Sequence, residues 1–96
     1  MDLREDLQRR LTGRVAILGI GNPDLGDDGA GFRLAERLAA RGLADVFLAE
    51  RCPERWLPRL ARDGYDAVLF VDAVEAGAAP GSVLLLNAAD AARRFP

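Results

Sequence analysis

Three aspartates, two closing a turn after one apolar run and one at the end of another, are the residues of this chain best suited to chemistry. Asp27 and Asp28 close the glycine-rich turn GNPDLGDDG at 21–29, which follows the apolar residues VAILGI at positions 15–20. Asp72 closes a second apolar run, AVLFV, at positions 67–71. Carboxylates are hard oxygen donors, and a pair of them attracts a cation. In a dinucleotide-binding loop the glycines and the helix N–H groups would face a pyrophosphate. Here Asp24 occupies the third glycine position of that pattern, and Asp27 and Asp28 add negative charge at the helix entrance. The turn is therefore read as a cation site, with no nucleotide cofactor.

Each carboxylate also has a structural reading. An aspartate at a helix N-cap accepts backbone N–H bonds and favours the positive end of the helix dipole. Either Asp27 or Asp28 could cap the following helix and leave the other for the ligand. Asp72 is harder to explain in this way, because an unpaired carboxylate at the end of a buried strand is costly. Asn22 suits a local turn bond, with a polar contact to substrate backbone as its functional alternative. Glu50 ends the second strand near the same place. Cys52 is a small apolar residue before a helix, because a cysteine nucleophile needs a base that the chain lacks.

These residues need a scaffold, and the pattern supplies one. Strands are expected at 14–20, 45–50, 67–74 and 82–86, with a loop at 76–81. A helix is expected at 29–41, its apolar face formed by Ala30, Leu34, Ala35, Leu38 and Ala39, with Arg33, Glu36 and Arg37 on the wet side. Pro53 suits the first turn of another helix, whose apolar stripe is Trp56, Leu57, Leu60 and Ala61. A further helix is expected to begin at 87–94. Residues 2–11 carry Leu3, Leu7 and Leu11 at helical spacing, and this N-terminal helix is expected to cover an edge or face of the sheet, with docking of a partner as the alternative. Alternation of strands and helices predicts an α/β fold, three-layered, with a mostly parallel twisted sheet flanked by helices. Ligands of such sheets bind beyond the carboxyl ends of the strands, where the strand order reverses. If the first and third strands are neighbours, Asp28 and Asp72 face one crevice.

Composition removes several classes of function. The 96 residues suffice for one small domain. A net charge of −2 gives no sign of a nucleic-acid or anionic-membrane partner. All 13 basic residues are arginine, so Schiff-base lysine chemistry and a P-loop lysine are excluded. With no histidine, Ser–His and Cys–His dyads are excluded as well. The lone Cys52 cannot form an internal disulfide, and no segment has the length of a membrane span or the apolar core of a signal peptide. A cytoplasmic location is the expectation.

The block GIGNPDLGDDGAGFR at 19–33, followed by VDAV at 71–74 and APGSV at 79–83, resembles the signature of the hydrogenase maturation endopeptidases. CPE at 52–54 is similar to the segment between the family's blocks, and the likeness runs from about residue 14 onward. Where the family often has an aspartate and glycines after the second strand, this chain has AERCP at 49–53. The resemblance implies a hydrolase that trims the C-terminal tail from the large-subunit precursor of nickel-iron hydrogenase after nickel insertion. It assigns Asp28 and Asp72 as metal ligands and catalytic residues, gripping nickel already held by the precursor. The third ligand of the family is a histidine beyond the second block. The chain is accordingly expected to be the N-terminal part of such a protease, with residues 1–13 as an added helix, residues 14–96 as part of one α/β domain, and the C-terminal part missing. On this reading the chain alone is inactive. Competing readings are a non-catalytic remnant or partner-binding module of the same fold, and a phospho-accepting receiver-like signalling domain. Receivers place an acidic pair and an aspartate in the same layout, but use a lysine at the phosphate.

Overall fold

A computed structural model of the chain describes residues 2–50, 52–74, 77 and 79–94. The elements in order are α1 (Leu3–Arg10), β1 (Val15–Ile20), a 3-10 turn (Gly26–Gly29), α2 (Ala30–Ala40), β2 (Val46–Glu50), a second 3-10 turn (Pro53–Arg55), α3 (Leu57–Arg62), β3 (Ala67–Val71) and α4 (Ala88–Arg94). The three strands form a parallel sheet in the order β2-β1-β3, so β1 is central. This is the expected α/β architecture, with the first and third strands paired from Val15↔Ala67 to Gly19↔Val71.

Alternate residues of β1 face opposite layers. Gly19 faces α2: a Cβ built on it would lie 2.4 Å from the Cβ of Ala35. Leu18, fully buried, shares the other face with its register partners Phe47 and Phe70. There Phe47 packs on Trp56, ring centroids 5.2 Å apart, and meets Tyr65 edge-on. The helices following β1 and β2 thus lie on opposite sides of the sheet, and the switch point falls between β1 and β3.

The core is small: Ala16, Leu18, Phe32, Ala35, Ala49 and Leu60. Several expectations are corrected here. The buried face of α2 is Gly31, Phe32 and Ala35, whereas Ala30, Leu34 and Ala39 are exposed. The sheet meets α2 at Gly31, and that close approach decides which side of the helix is buried. Pro58 interrupts the helix expected from Pro53. Proline has no N–H and clashes with the preceding turn, so it belongs in a helix's first turn; α3 therefore starts at Leu57, after a separate 3-10 turn. Only Leu60 of the expected stripe is buried, with Trp56 half-buried and Leu57 and Ala61 exposed. Residues 82–86 form no strand, and Val83 is 73% exposed. A strand needs a partner edge, and these residues do not pair with the outer edge of β3. The third strand stops at Val71, leaving Asp72 just beyond it. Helix α1 adds no residue to the core: none of it is fully buried, with Leu7 and the cap residue Leu11 half-buried. Of the expected loop at 76–81, residues 76 and 78 lie outside the described residues.

The amino ends of the strands are tied together by polar contacts. The Arg14 amide donates to Asp66 Oδ2 at 2.7 Å, its guanidinium donates to the Asp63 carbonyl, and the same guanidinium stacks 4.3 Å above the Tyr65 ring. The Tyr65 hydroxyl donates to Asp45 Oδ1 at 2.6 Å, and that bond to a carboxylate raises the phenol's pKa above its ordinary value.

At the carboxyl ends the contact is closer. A Cβ on Gly31 would lie 2.2 Å from the Val71 carbonyl oxygen and 2.8 Å from that of Ile20. Gly31→Ala is therefore expected to lower stability by about 1–3 kcal/mol or more, the range for overpacking against atoms that cannot yield. Leu25→Ala, at an exposed position, should stay within about 0.5 kcal/mol. Urea unfolding of the two variants checks the contrast.

Candidate functional site

The loop from Gly21 to Gly29 is held by its own amides and carboxylate. Asn22 Oδ1 accepts the Asp24 amide at 2.9 Å, the Asn22 carbonyl accepts the Leu25 amide at 3.1 Å, and the Leu25 carbonyl accepts the Asp28 amide at 3.0 Å. The Asn22 amide in turn donates to Asp28 Oδ2 at 3.0 Å. Asn22 is thus spent on the turn, as its structural reading held. Gly21, at φ +127°, is the position where only glycine fits: a Cβ would fall 1.9 Å from the Asp28 carbonyl oxygen. Its amide donates to the Glu50 carbonyl at 2.8 Å and fastens the loop to the end of β2.

Neither Asp27 nor Asp28 caps α2. The N-cap position is Gly29, with no side-chain bond to the helix. Both aspartates lie in the 3-10 turn and are exposed. The capping alternative is thereby removed for each, and Asp28 has one carboxylate oxygen engaged with the loop and the other open to a ligand.

Asp72 follows β3 directly and lies at the exposed rim of the crevice. Its pKa is raised above the ordinary carboxylate value, chiefly by partial desolvation and further by the negative charge of Asp28; a bond from the Ala73 amide acts the other way. Two residues 44 positions apart in sequence thus share one electrostatic environment at the β1–β3 switch point. A cation between them would reverse the local charge balance. The donor set is incomplete, however: among the described residues no group of three or more His, Cys, Asp or Glu side chains could hold a metal ion.

Glu50 and Cys52 lie on the β2 side of the same sheet end. Both line a shallow cavity of about 310 Å³ with Leu48, Ala49, Arg55 and Trp56. Glu50 has φ +49°, a left-handed conformation that is uncommon for glutamate, and its carbonyl serves Gly21. Cys52 is a half-buried free thiol. Neither side chain joins Asp28 and Asp72.

Arg33 was expected only on the wet face of α2. Its guanidinium reaches back across the helix start to the Pro23 carbonyl at 2.5 Å. It therefore anchors the outer side of the aspartate loop. The position of Arg33 one helical turn inside α2 was legible; the loop carbonyl it meets was not, because the turn's path depends on Gly21 and Gly29.

The raised pKa of Asp72 has a definite sign. A carboxylate whose folded value lies above its unfolded value destabilises the fold once ionised, and this penalty disappears below the unfolded value. Asp72→Asn should accordingly gain stability relative to the natural chain as pH rises through the carboxylate range, with the difference vanishing in acid. Asp28→Asn retains an oxygen for the Asn22 amide and removes the like charge, so the Asp72 pKa should fall toward its ordinary value. Titration of the Asp72 carboxyl carbon by NMR measures this; an unchanged value would separate the two groups.

No family model and no solved structure matches the chain. Two curated relatives do: the Hydrogenase 3 maturation protease of Escherichia coli strain K12 and that of Escherichia coli O157:H7. Each is 35% identical over 81 residues, a stretch covering 82% of this chain and 52% of the relative. The chain spans about half the length of these relatives.

Proposed function

Because the chain belongs to the hydrogenase maturation protease family, we propose that its β1–β3 crevice contributes to a metal-dependent endopeptidase site that removes the C-terminal tail of a nickel-loaded hydrogenase large-subunit precursor. The observation that carries this reading is the pairing of β1 with β3, which sets the Asp28 loop and Asp72 at one switch point. The nickel belongs to the substrate on this reading and would be gripped by the two carboxylates, bringing the scissile peptide beside them. A metal so held can polarise a carbonyl or activate a water. Asp28 contributes through a carboxylate already oriented by the Asn22 amide, and Asp72 through a carboxylate whose raised pKa a bound cation would bring back down. We assign the work to the cytoplasm, where nickel-loaded precursor would be met; in the described residues no helix is long and apolar enough to cross a membrane.

These 96 residues contain no histidine, so imidazole, the softer ligand of the set, must come from outside them. Two carboxylates alone should show little preference among divalent ions, since oxygen donors suit magnesium and manganese as well as nickel or zinc. Titration calorimetry is expected to show weak binding of each ion, lost on Asp28→Ala or Asp72→Ala. Tight nickel binding that survives either substitution would overturn the assignment of ligands.

The cleavage reading has its own assay. Nickel-loaded large-subunit precursor is incubated with the 96-residue chain and with a counterpart extended by a histidine-bearing segment, and the tail is followed by mass. Cleavage is expected only with the extended form, and only when Asp28 and Asp72 are both present. Cleavage by the 96-residue chain would show that imidazole is dispensable. No cleavage by either form would favour the non-catalytic, partner-binding reading.

A further inference from the structure

Among the described residues, the side-chain hydrogen bonds and ion pairs of helix α1 are all local. Asp2 has an extended backbone, and its Oδ1 accepts the Glu5 amide at 2.8 Å as an N-cap. Asp6 pairs with Arg9 at 2.5 Å and with Arg10 at 3.2 Å. Acidic groups in the first turn and arginines in the last complement the helix dipole. None of the helix is fully buried: Leu3 is 43% exposed, and Leu7 and Leu11 are half-buried. A helix of 8 residues is shorter than the about 12–15 at which isolated helices become even marginal in water. Its apolar side therefore has an unmet packing requirement.

That side has a definite shape. Leu3, Leu7 and the C-cap Leu11 recur every four residues. Such an i±4 row is a ridge that interlocks with the same row of another helix at a crossing angle of about −50°. At 3.6 residues per turn, Asp2, Asp6 and Arg10 flank the ridge on one side, and Arg4 and Gln8 on the other.

We propose that this ridge is the contact surface for a second copy of the chain, the two α1 helices packing antiparallel about a twofold axis near Leu7. In an antiparallel pair, like flank meets like flank. Asp2 of each copy then faces Arg10 of the other, giving two complementary pairs related by the axis. The two Asp6 groups meet at the centre, each already accompanied by Arg9 and Arg10 of its own helix. The helix dipoles oppose, which also favours this orientation. One patch serves both copies, as an isologous contact requires. Two helices of this length bury much less than the about 1,200 Å² of a standard stable interface, so the dimer is weak and concentration-dependent. The proposal does not rest on the chemistry of the crevice.

Sedimentation velocity of the 96-residue chain over a wide range of concentration tests it. The sedimentation coefficient is expected to rise with concentration toward that of a dimer. Leu7→Arg, a change between good helix formers, should abolish the rise while far-ultraviolet circular dichroism stays the same. Arg10→Glu sets like charges opposite Asp2 at both ends and should weaken the dimer about threefold to tenfold, as expected for exposed charge pairs. Adding Asp2→Asn to Arg10→Glu removes that repulsion and keeps a capping oxygen, so most of the affinity should return. A chain that stays monomeric throughout would overturn the proposal. So would a dimer unaffected by Leu7→Arg, which would place the contact elsewhere, or an Arg10→Glu loss that Asp2→Asn fails to restore.

Discussion

The backbone of α2 at Gly31 rests on the carbonyls of Ile20 and Val71, at a distance that leaves no room for a methyl group. Three elements meet there: the end of the central strand, the end of its neighbour, and the start of the helix between them. A larger residue would lift the helix, and with it the aspartate loop, away from β3. Gly19 and Gly29 extend the same seam, the first against Ala35 and the second against Pro23 and the Asn22 carbonyl. The separation of Asp28 from Asp72 is thus a consequence of glycine packing rather than of any bond between the carboxylates. Charge alone would drive them apart.

That repulsion is visible in Asp72, whose carboxyl holds its proton more tightly than usual because of desolvation and the nearby Asp28. The loop compensates at Asp28 by supplying the Asn22 amide. Arg33 bonds to the Pro23 carbonyl and so stabilises the loop's path without placing its positive charge between the aspartates. Once ionised, Asp72 therefore weakens the fold rather than stabilising it. The opposite end of the sheet carries no such tension. There Arg14, Tyr65, Asp45 and Asp66 satisfy one another and fix the amino ends of the strands.

The periphery follows from the small core. Phe70 is 47% exposed on β3, whose outer edge is unpaired among the described residues, and Val83 and Leu84, later in the chain, are exposed as well. Apolar side chains that the sequence pattern assigns to a core remain in water because no layer covers them. Helix α1 is the same effect at smaller scale: its cap and ion pairs make a helix, but its leucines add nothing to the core, whose places near β1 are taken by α2 and by Phe47, Trp56 and Leu60.

Much of this molecule is determined by short-range sequence. Continuous apolar runs bounded by turn residues mark β1, β2 and β3, and the glycine-rich turn marks the loop that carries Asp27 and Asp28. The block at 19–33 marks the family. What the sequence misjudged was orientation. Leu34 and Ala30 belong to a good amphipathic face, yet packing turned α2 onto Gly31, Phe32 and Ala35, since the close approach at Gly31 is available on that side only. The run at 82–86 has strand-like residues and no strand, because pairing is a property of two segments and cannot be read from one. Whether Asp28 caps the helix was equally open until the structure placed Gly29 at the N-cap. Periodicity and turn chemistry are local and survive in a single chain of letters. Which strand lies beside which, which helix face is buried and which carboxylate meets another across the crevice depend on contacts between distant residues, and only the tertiary structure decides them.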